Sequence, residues 1–220
     1  MVDSHSIVNT NSLVHSLSNN KNMGFMNEGS MVNKITNTRY KVLSRTQIIK
    51  YNLLGKTFFN SLNFDEQQTL LMYTYRSRDI NRNASGEKHI VEVYHQDVLS
   101  LILKLDKLFY KFKLEDDIMV FKGANASYFK DLKVGVNFEP KYYFSTSVDR
   151  KVAEGFLNNK RNQLNSLMIE IKVPRNSKCI YVGEDSGWLN HKEIILPRDT
   201  KYRVLNVSGG KLELEVINDN

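Results

Sequence analysis

Apolar residues recur at helical spacing from Thr46 onward and switch to strand spacing beyond Leu114. "TQIIKYNLLGKTFFNSL" and "FDEQQTLLMYTYRS" each carry a helical apolar stripe, which predicts two helices. Asn63-Phe64-Asp65-Glu66 reads as the entry to the second. "RDINRNASGEKHI" reads as a loop. In "QDVLSLILKLDKLFYKF", Val98, Leu101, Ile102, Leu105, Leu108, Phe109 and Phe112 share one face, predicting an amphipathic helix over 96–112. Short apolar runs follow: "DDIMVFKG", "KYYFSTS" and, after one helix at 149–157, "LMIEIKVP" (167–174), "KCIYVG" (178–183) and "KEIILP" (192–197). "KYRVLNV" and "KLELEVI" flank Ser208-Gly209-Gly210 and read as a hairpin. Helices first and strands later predict an α+β fold, with a helical layer on a mainly antiparallel sheet or pair of sheets.

Residues 1–40 break this pattern. They are rich in Asn and Ser with no sustained apolar period, so we expect a flexible segment holding at most a short helical piece. Residues 41–220 then form one domain. Lys and Arg number 31 against 24 Asp and Glu, a net charge of +7 that suits an acidic partner: nucleic acid, an anionic surface or a phosphate-bearing small molecule. No zinc-finger, RRM or basic-zipper pattern is present, so a nucleic-acid target has only the charge to support it. Cys179 is the single cysteine, which rules out an intrachain disulfide and a cysteine metal cage. The chain has no run of about 18 apolar residues and no secretory-type start, so we expect a cytoplasmic protein with no membrane partner.

Chemistry-bearing groups stand at the ends of three apolar runs. Lys122-Gly123 follows Met119-Val120-Phe121. Ser145-Thr146-Ser147 follows Tyr142-Tyr143-Phe144, and Thr146 with Asp149 three residues later fits a helix start. His191 and Glu193 precede Ile194-Ile195-Leu196-Pro197, two apart and so on one face if the strand begins there. Each has an ordinary reading as a solvated strand end or a cap. The histidines have no H-E-x-x-H spacing, no G-x-S-x-G elbow occurs, and neither a Gly-rich dinucleotide fingerprint nor a Walker loop is present.

In this order, "VFKGA", "FSTS" with "AEGF", and "HKEIILPRDTKYRV" resemble the mono-ADP-ribosyltransferases of the Arg-Ser-Glu type, found among binary toxins, exoenzymes and phage-encoded transferases. The resemblance runs from about Phe64 to about Val207 and takes in "YTYRSRDIN" as a helical lead-in. It implies two small, mainly antiparallel sheets around a cleft that binds NAD as substrate, and transfer of ADP-ribose to a target protein. It also implies roles. Glu193 is the catalytic carboxylate and Ser145 orders it and the nicotinamide pocket. Lys122, Gly123, Thr146 and Ser147 complete the NAD site, while Asn158, Lys160 and Arg161 fall on the phosphate loop. Phe156 closes the following helix as a core residue, and Trp188 lies on the loop that meets the target.

The chain departs from the family pattern twice. Lys122 stands where the family has Arg, replacing a two-pronged phosphate donor by a compact charge, with Arg76 and Arg78 as candidate substitutes. His191 stands where the family has Glu or Gln, a position tied to acceptor choice. A histidine of ordinary pKa about 6.5 is a proton acceptor near neutrality. Two alternatives therefore accompany the transferase reading: a binding or assembly module on the same fold, and an NAD glycohydrolase.

Overall fold

The computed structural model describes residues 40–87, 92–157, 165–182 and 192–218, of which 92–96 by backbone alone. Three helices lead: α1 Arg45–Ser61, α2 Phe64–Ala84 and α3 Glu92–Leu108. Strands β1 Ile118–Asn125, β2 Asn137–Phe138 and β3 Phe144–Ser147 follow, with a 3-10 turn at Ala126–Phe129. Helix α4 Arg150–Leu157 leads to β4 Ser166–Val173, β5 Ile180–Val182, β6 Glu193–Leu196, β7 Tyr202–Ser208 and β8 Lys211–Val216. The α+β order expected from the pattern is the order observed.

Local chemistry sets the helix starts. Ser44 with Gln47, and Asn63 with Glu66, form reciprocal capping boxes at α1 and α2. Helix α2 then continues to Ala84, through most of the stretch expected to be a loop. Two residues explain this. Ile80 extends the buried stripe of Leu70 and Tyr73. Asn81 spends its amide on the backbone of Tyr143, Nδ2 donating to the carbonyl (3.1 Å) and Oδ1 accepting the N–H (3.0 Å). Helix α3 stops at Leu108, four residues early, because the Tyr110 and Lys111 N–H groups bond back only three residues. Phe109 and Phe112 are buried all the same. The expected cap on α4 also moves. The Asp149 Oδ1 accepts the Lys151 N–H (3.0 Å), whereas the Thr146 hydroxyl is bonded elsewhere.

The strands hydrogen-bond in the order β2-β7-β8-β4-β1-β3-β6-β5. Every pairing is antiparallel except β4 with β8. Strand β2 was not expected, since two residues carry no periodicity. The β7–β8 hairpin was, and Gly209 and Gly210 supply the two positive φ angles of its tight turn (57° and 75°). β4 is covered on both faces, which is why it reads as a continuous apolar run. Leu167, Ile169, Ile171 and Val173 join the main core with helix residues such as Tyr51, Tyr73 and Leu105. Met168, on the opposite face, packs with Phe121 and Ala153, and the neighbouring Glu170 pairs with Arg150 of α4 (2.9 Å).

β1 and β3 meet at one residue pair, Phe121 with Ser147. The eight strands thus form a five-stranded lobe and a three-stranded lobe joined at that point, which accounts for the expected pair of small sheets. Helix α4 lies across the junction and approaches β1 closely at Gly123. A Cβ there would sit 2.4 Å from the Ala153 carbonyl oxygen and 3.1 Å from both Leu157 Cδ2 and Phe156 Cβ. We therefore expect Gly123→Ala to force α4 off β1 and destabilise the domain by about 2 kcal/mol. Urea denaturation measures this, and an unshifted midpoint would contradict the close-approach role.

Candidate active site

Past the Phe121–Ser147 pair the two lobes part, and a cavity of about 420 Å³ opens between them. Lys122, Gly123, Ser145, Thr146, Ser147 and Glu193 line it from the strands. Thr74, Tyr75 and Ser77 line it from α2; Val152, Ala153 and Phe156 line it from α4. The three separate sequence motifs therefore converge on one cleft. Asn158, Lys160, Arg161, Trp188 and His191 lie outside the described residues. Neither Arg76 nor Arg78 is among the residues that line the cavity, although Tyr75 and Ser77 beside them are, and Arg76 pairs with Asp79 (3.6 Å).

Lys122 spans the gap. Its Nζ donates to the Ser145 carbonyl across the splayed strands (2.8 Å) and lies 5.1 Å from the centre of the Phe144 ring. Burial holds this ammonium below the usual lysine value, and the Glu193 carboxylate acts in the opposite sense. On the far side of Ser145, the fully buried Tyr73 hydroxyl hydrogen-bonds to Ser145 Oγ (2.9 Å). Burial, and secondly the charge of Glu193, push the Tyr73 phenol above the usual tyrosine value, so it is neutral at pH 7. Ser145 is thus held through both its carbonyl and its hydroxyl.

The remaining hydroxyls tie β3 to β6. Thr146 Oγ1 donates to the Ile194 carbonyl (2.7 Å), and Ser147 Oγ donates to the Lys192 carbonyl (3.4 Å) while accepting the Asp149 N–H (3.1 Å). Glu193 opens β6 opposite Ser147. Lys192 before it has φ +44°, so the strand begins at Glu193 and the face-sharing argument does not extend back to His191.

The mouth of the cleft is aromatic. Tyr75 is 62% exposed and Phe156 48%. Phe156 is therefore a cavity-lining residue rather than the core residue expected. Helix α4 docks through small Ala153, which leaves the larger neighbour at the rim. Pattern reading also missed Tyr73, Thr74, Tyr75 and Ser77. Their signal was partial: Thr74 and Ser77 are three apart on a helix. The helix breaks within this segment at Arg76 (φ −125°, ψ 24°), just after Thr74 Oγ1 takes up the Leu71 carbonyl (2.7 Å).

Other chemistries find no footing among the described residues. No group of three or more His, Cys, Asp or Glu is placed to hold a metal ion. Cys179 is buried, with its thiol pushed up to about 12, so it is no nucleophile. No helix is long and apolar enough to cross a membrane.

The family model for the ADP-ribosyltransferase exoenzyme matches residues 43–219. NAD(+)–arginine ADP-ribosyltransferase EFV of Enterococcus faecalis is 32% identical over 107 residues, 49% of this chain and 22% of that protein. Mono-ADP-ribosyltransferase C3 of a Clostridium botulinum D phage is 25% identical over 163 residues, 65% of this chain and 63% of that one. The chain thus spans less than two thirds of either relative. Among solved structures, C3stau2 from S. aureus with NAD superposes with a TM-score of 0.67 at 14% identity, covering 82% of this chain and 100% of that one. The Clostridium limosum C3 exoenzyme gives 0.60 at 17%, covering 81% and 98%. These two establish the fold.

The burial of the Lys122 charge has a measurable consequence. A lysine whose folded-state pKa is depressed opposes folding while the unfolded chain binds its proton more readily, and that cost fades as pH rises toward the ordinary lysine value. Lys122→Met is expected to raise the melting temperature at pH 7. The gain should shrink as the pH approaches 10. A lowered melting temperature would show that the ammonium is a net structural asset.

Proposed function

Because the chain belongs to the ADP-ribosyltransferase exoenzyme family, we propose that it transfers ADP-ribose from NAD to a side chain of a target protein. The observation that carries this reading is the convergence of Lys122, Ser145 and Glu193 on one cleft, from three strands distant in sequence. Breaking the bond between nicotinamide and ribose leaves positive charge on the sugar, which a carboxylate held in a partly dry cleft stabilises. Glu193 supplies that carboxylate. Ser145, fixed by Tyr73 and Lys122, supplies an oriented hydroxyl beside it. An ammonium has three N–H donors, so the bond to Ser145 leaves Lys122 capacity for a phosphate oxygen. Tyr75 and Phe156 place aromatic rings at the mouth.

The acceptor nucleophile attacks the anomeric carbon as nicotinamide leaves with the bonding pair, and the acceptor gives up its proton. His191, two residues from Glu193 in the chain, takes that proton. In this reading Trp188 serves target recognition, and Asn158 and Arg161 serve phosphate binding. Residues 41–220 form the transferase domain in this reading. Hydrolysis of NAD is the outcome when water takes the acceptor's place.

The test is nicotinamide release from NAD by the purified chain, with and without cell lysate. We expect release that rises with lysate and falls in Glu193→Gln by at least about a hundredfold, the order seen when a charge-stabilising group is removed. Release that lysate does not stimulate would favour a glycohydrolase. No release from the wild-type chain would favour a binding module.

A further inference from the structure

Among the described residues, three other than glycine have a positive φ: Asn176 (64°), Asp199 (61°) and Lys192 (44°). Asn and Asp enter this region readily because their short side chains bond locally; a lysine does so at a cost and stays only where its surroundings hold it. Lys192 directly precedes Glu193, and it is held at both ends. Its carbonyl accepts the Val148 N–H (3.1 Å) and the Ser147 hydroxyl (3.4 Å). Its Nζ reaches Asp149 Oδ2 at 2.6 Å.

Asp149 is anchored in turn. Its Oδ1 accepts the Lys151 N–H of α4 (3.0 Å), and its own N–H donates to Ser147 Oγ (3.1 Å). The bonds close a ring through Ser147, Asp149 and Lys192. The hydrogen bond from Lys192 comes first among the causes that hold the Asp149 carboxyl below the usual carboxylate range. With side-chain exposures of 32% and 22%, the pair is partly buried.

We propose that Lys192 is a positioning residue: through its ion pair with Asp149 it fixes the backbone entering Glu193, and so sets where that carboxylate stands in the cleft. The ring couples three features that the fold must align, namely the end of β3, the start of α4 and the start of β6. Released from Asp149, Lys192 relaxes toward ordinary φ, and rotation at the residue before Glu193 swings its side chain away from Ser145. The proposal rests on Glu193 being the catalytic carboxylate.

Steady-state nicotinamide release by the purified full chain tests it, with thermal midpoints recorded for every variant. Lys192→Met is expected to lower kcat on the order of tenfold while KM for NAD stays within about twofold, the signature of an interaction that acts in the transition state. Lys192→Arg, which retains the charge, recovers most of the lost kcat. Asp149→Asn keeps a side-chain oxygen to cap α4 but removes the charge, and is expected to lose as much as Lys192→Met. The double variant falls no further than either single one, because both remove the same interaction.

An undiminished kcat in Lys192→Met would overturn the proposal. So would a failed recovery in Lys192→Arg, or losses that multiply in the double variant. Should Lys192→Met not fold, Asp149→Asn and Lys192→Arg still decide the matter. A wild-type chain with no release that depends on Glu193 would overturn the transferase reading and this proposal with it. A wild-type chain that turns over and a Lys192→Met equal to it would overturn this proposal alone.

Discussion

Between β1 and β3 the backbone ladder stops at Phe121 and Ser147, and the positions that a longer ladder would have paired are handed to side chains and to the cleft. The fold tolerates that opening because each lobe has its own partners. β1 is zipped along its full length to β4, and β3 to β6. What remains open is bridged by the Lys122 ammonium on the Ser145 carbonyl. A continuous ladder would leave no cavity; two unconnected sheets would leave Lys122 and Glu193 with no fixed relation.

Helix α4 holds the junction from one side. Its approach requires glycine at 123, because the Ala153 carbonyl fills the space where a side chain would begin. Its start is bound to the β6 entry through Asp149 and Lys192, and Arg150 reaches across to Glu170 of β4. From the other side, α2 contributes Tyr73, and Asn81 fastens the same helix to the backbone leading into β3. Further along, Tyr143 bonds through its hydroxyl to Asp106 of α3 (2.7 Å), which also takes Arg198 beyond β6 (2.7 Å). β3 is thereby pinned along its approach as well as at its end, and its short serine-rich stretch is a rigid platform for the chemistry proposed above.

Much of this was legible in advance. Helical and alternating apolar periods gave the order of elements, the Gly209-Gly210 pair gave the hairpin, and the Asn63–Glu66 box gave the start of α2. The three motifs were visible as polar groups at the ends of apolar runs. The errors share a cause. The 79–84 stretch looked like a loop because its Asn and Arg content fits one, yet Asn81 is polar in order to bind a backbone 62 residues away. Phe156 was expected in the core from the resemblance, as the aromatic that closes the helix, yet its burial depends on how α4 sits against Gly123. Thr146 looked like a cap because of its spacing from Asp149, yet its hydroxyl found the Ile194 carbonyl on a neighbouring strand.

The amino-acid sequence by itself determined which segments could be helices or strands, since periodicity is a local property, and which side chains could carry charge or a hydroxyl to the end of a strand. Only the tertiary structure decided that those ends meet. The pairings that bring β1, β3 and β6 together join residues more than twenty positions apart, and their extent depends on packing that no window of sequence contains. That is why the one-pair junction of β1 and β3, the break at Arg76 between the cleft-lining Thr74 and Ser77, and the left-handed Lys192 before Glu193 had no counterpart in the pattern of residues.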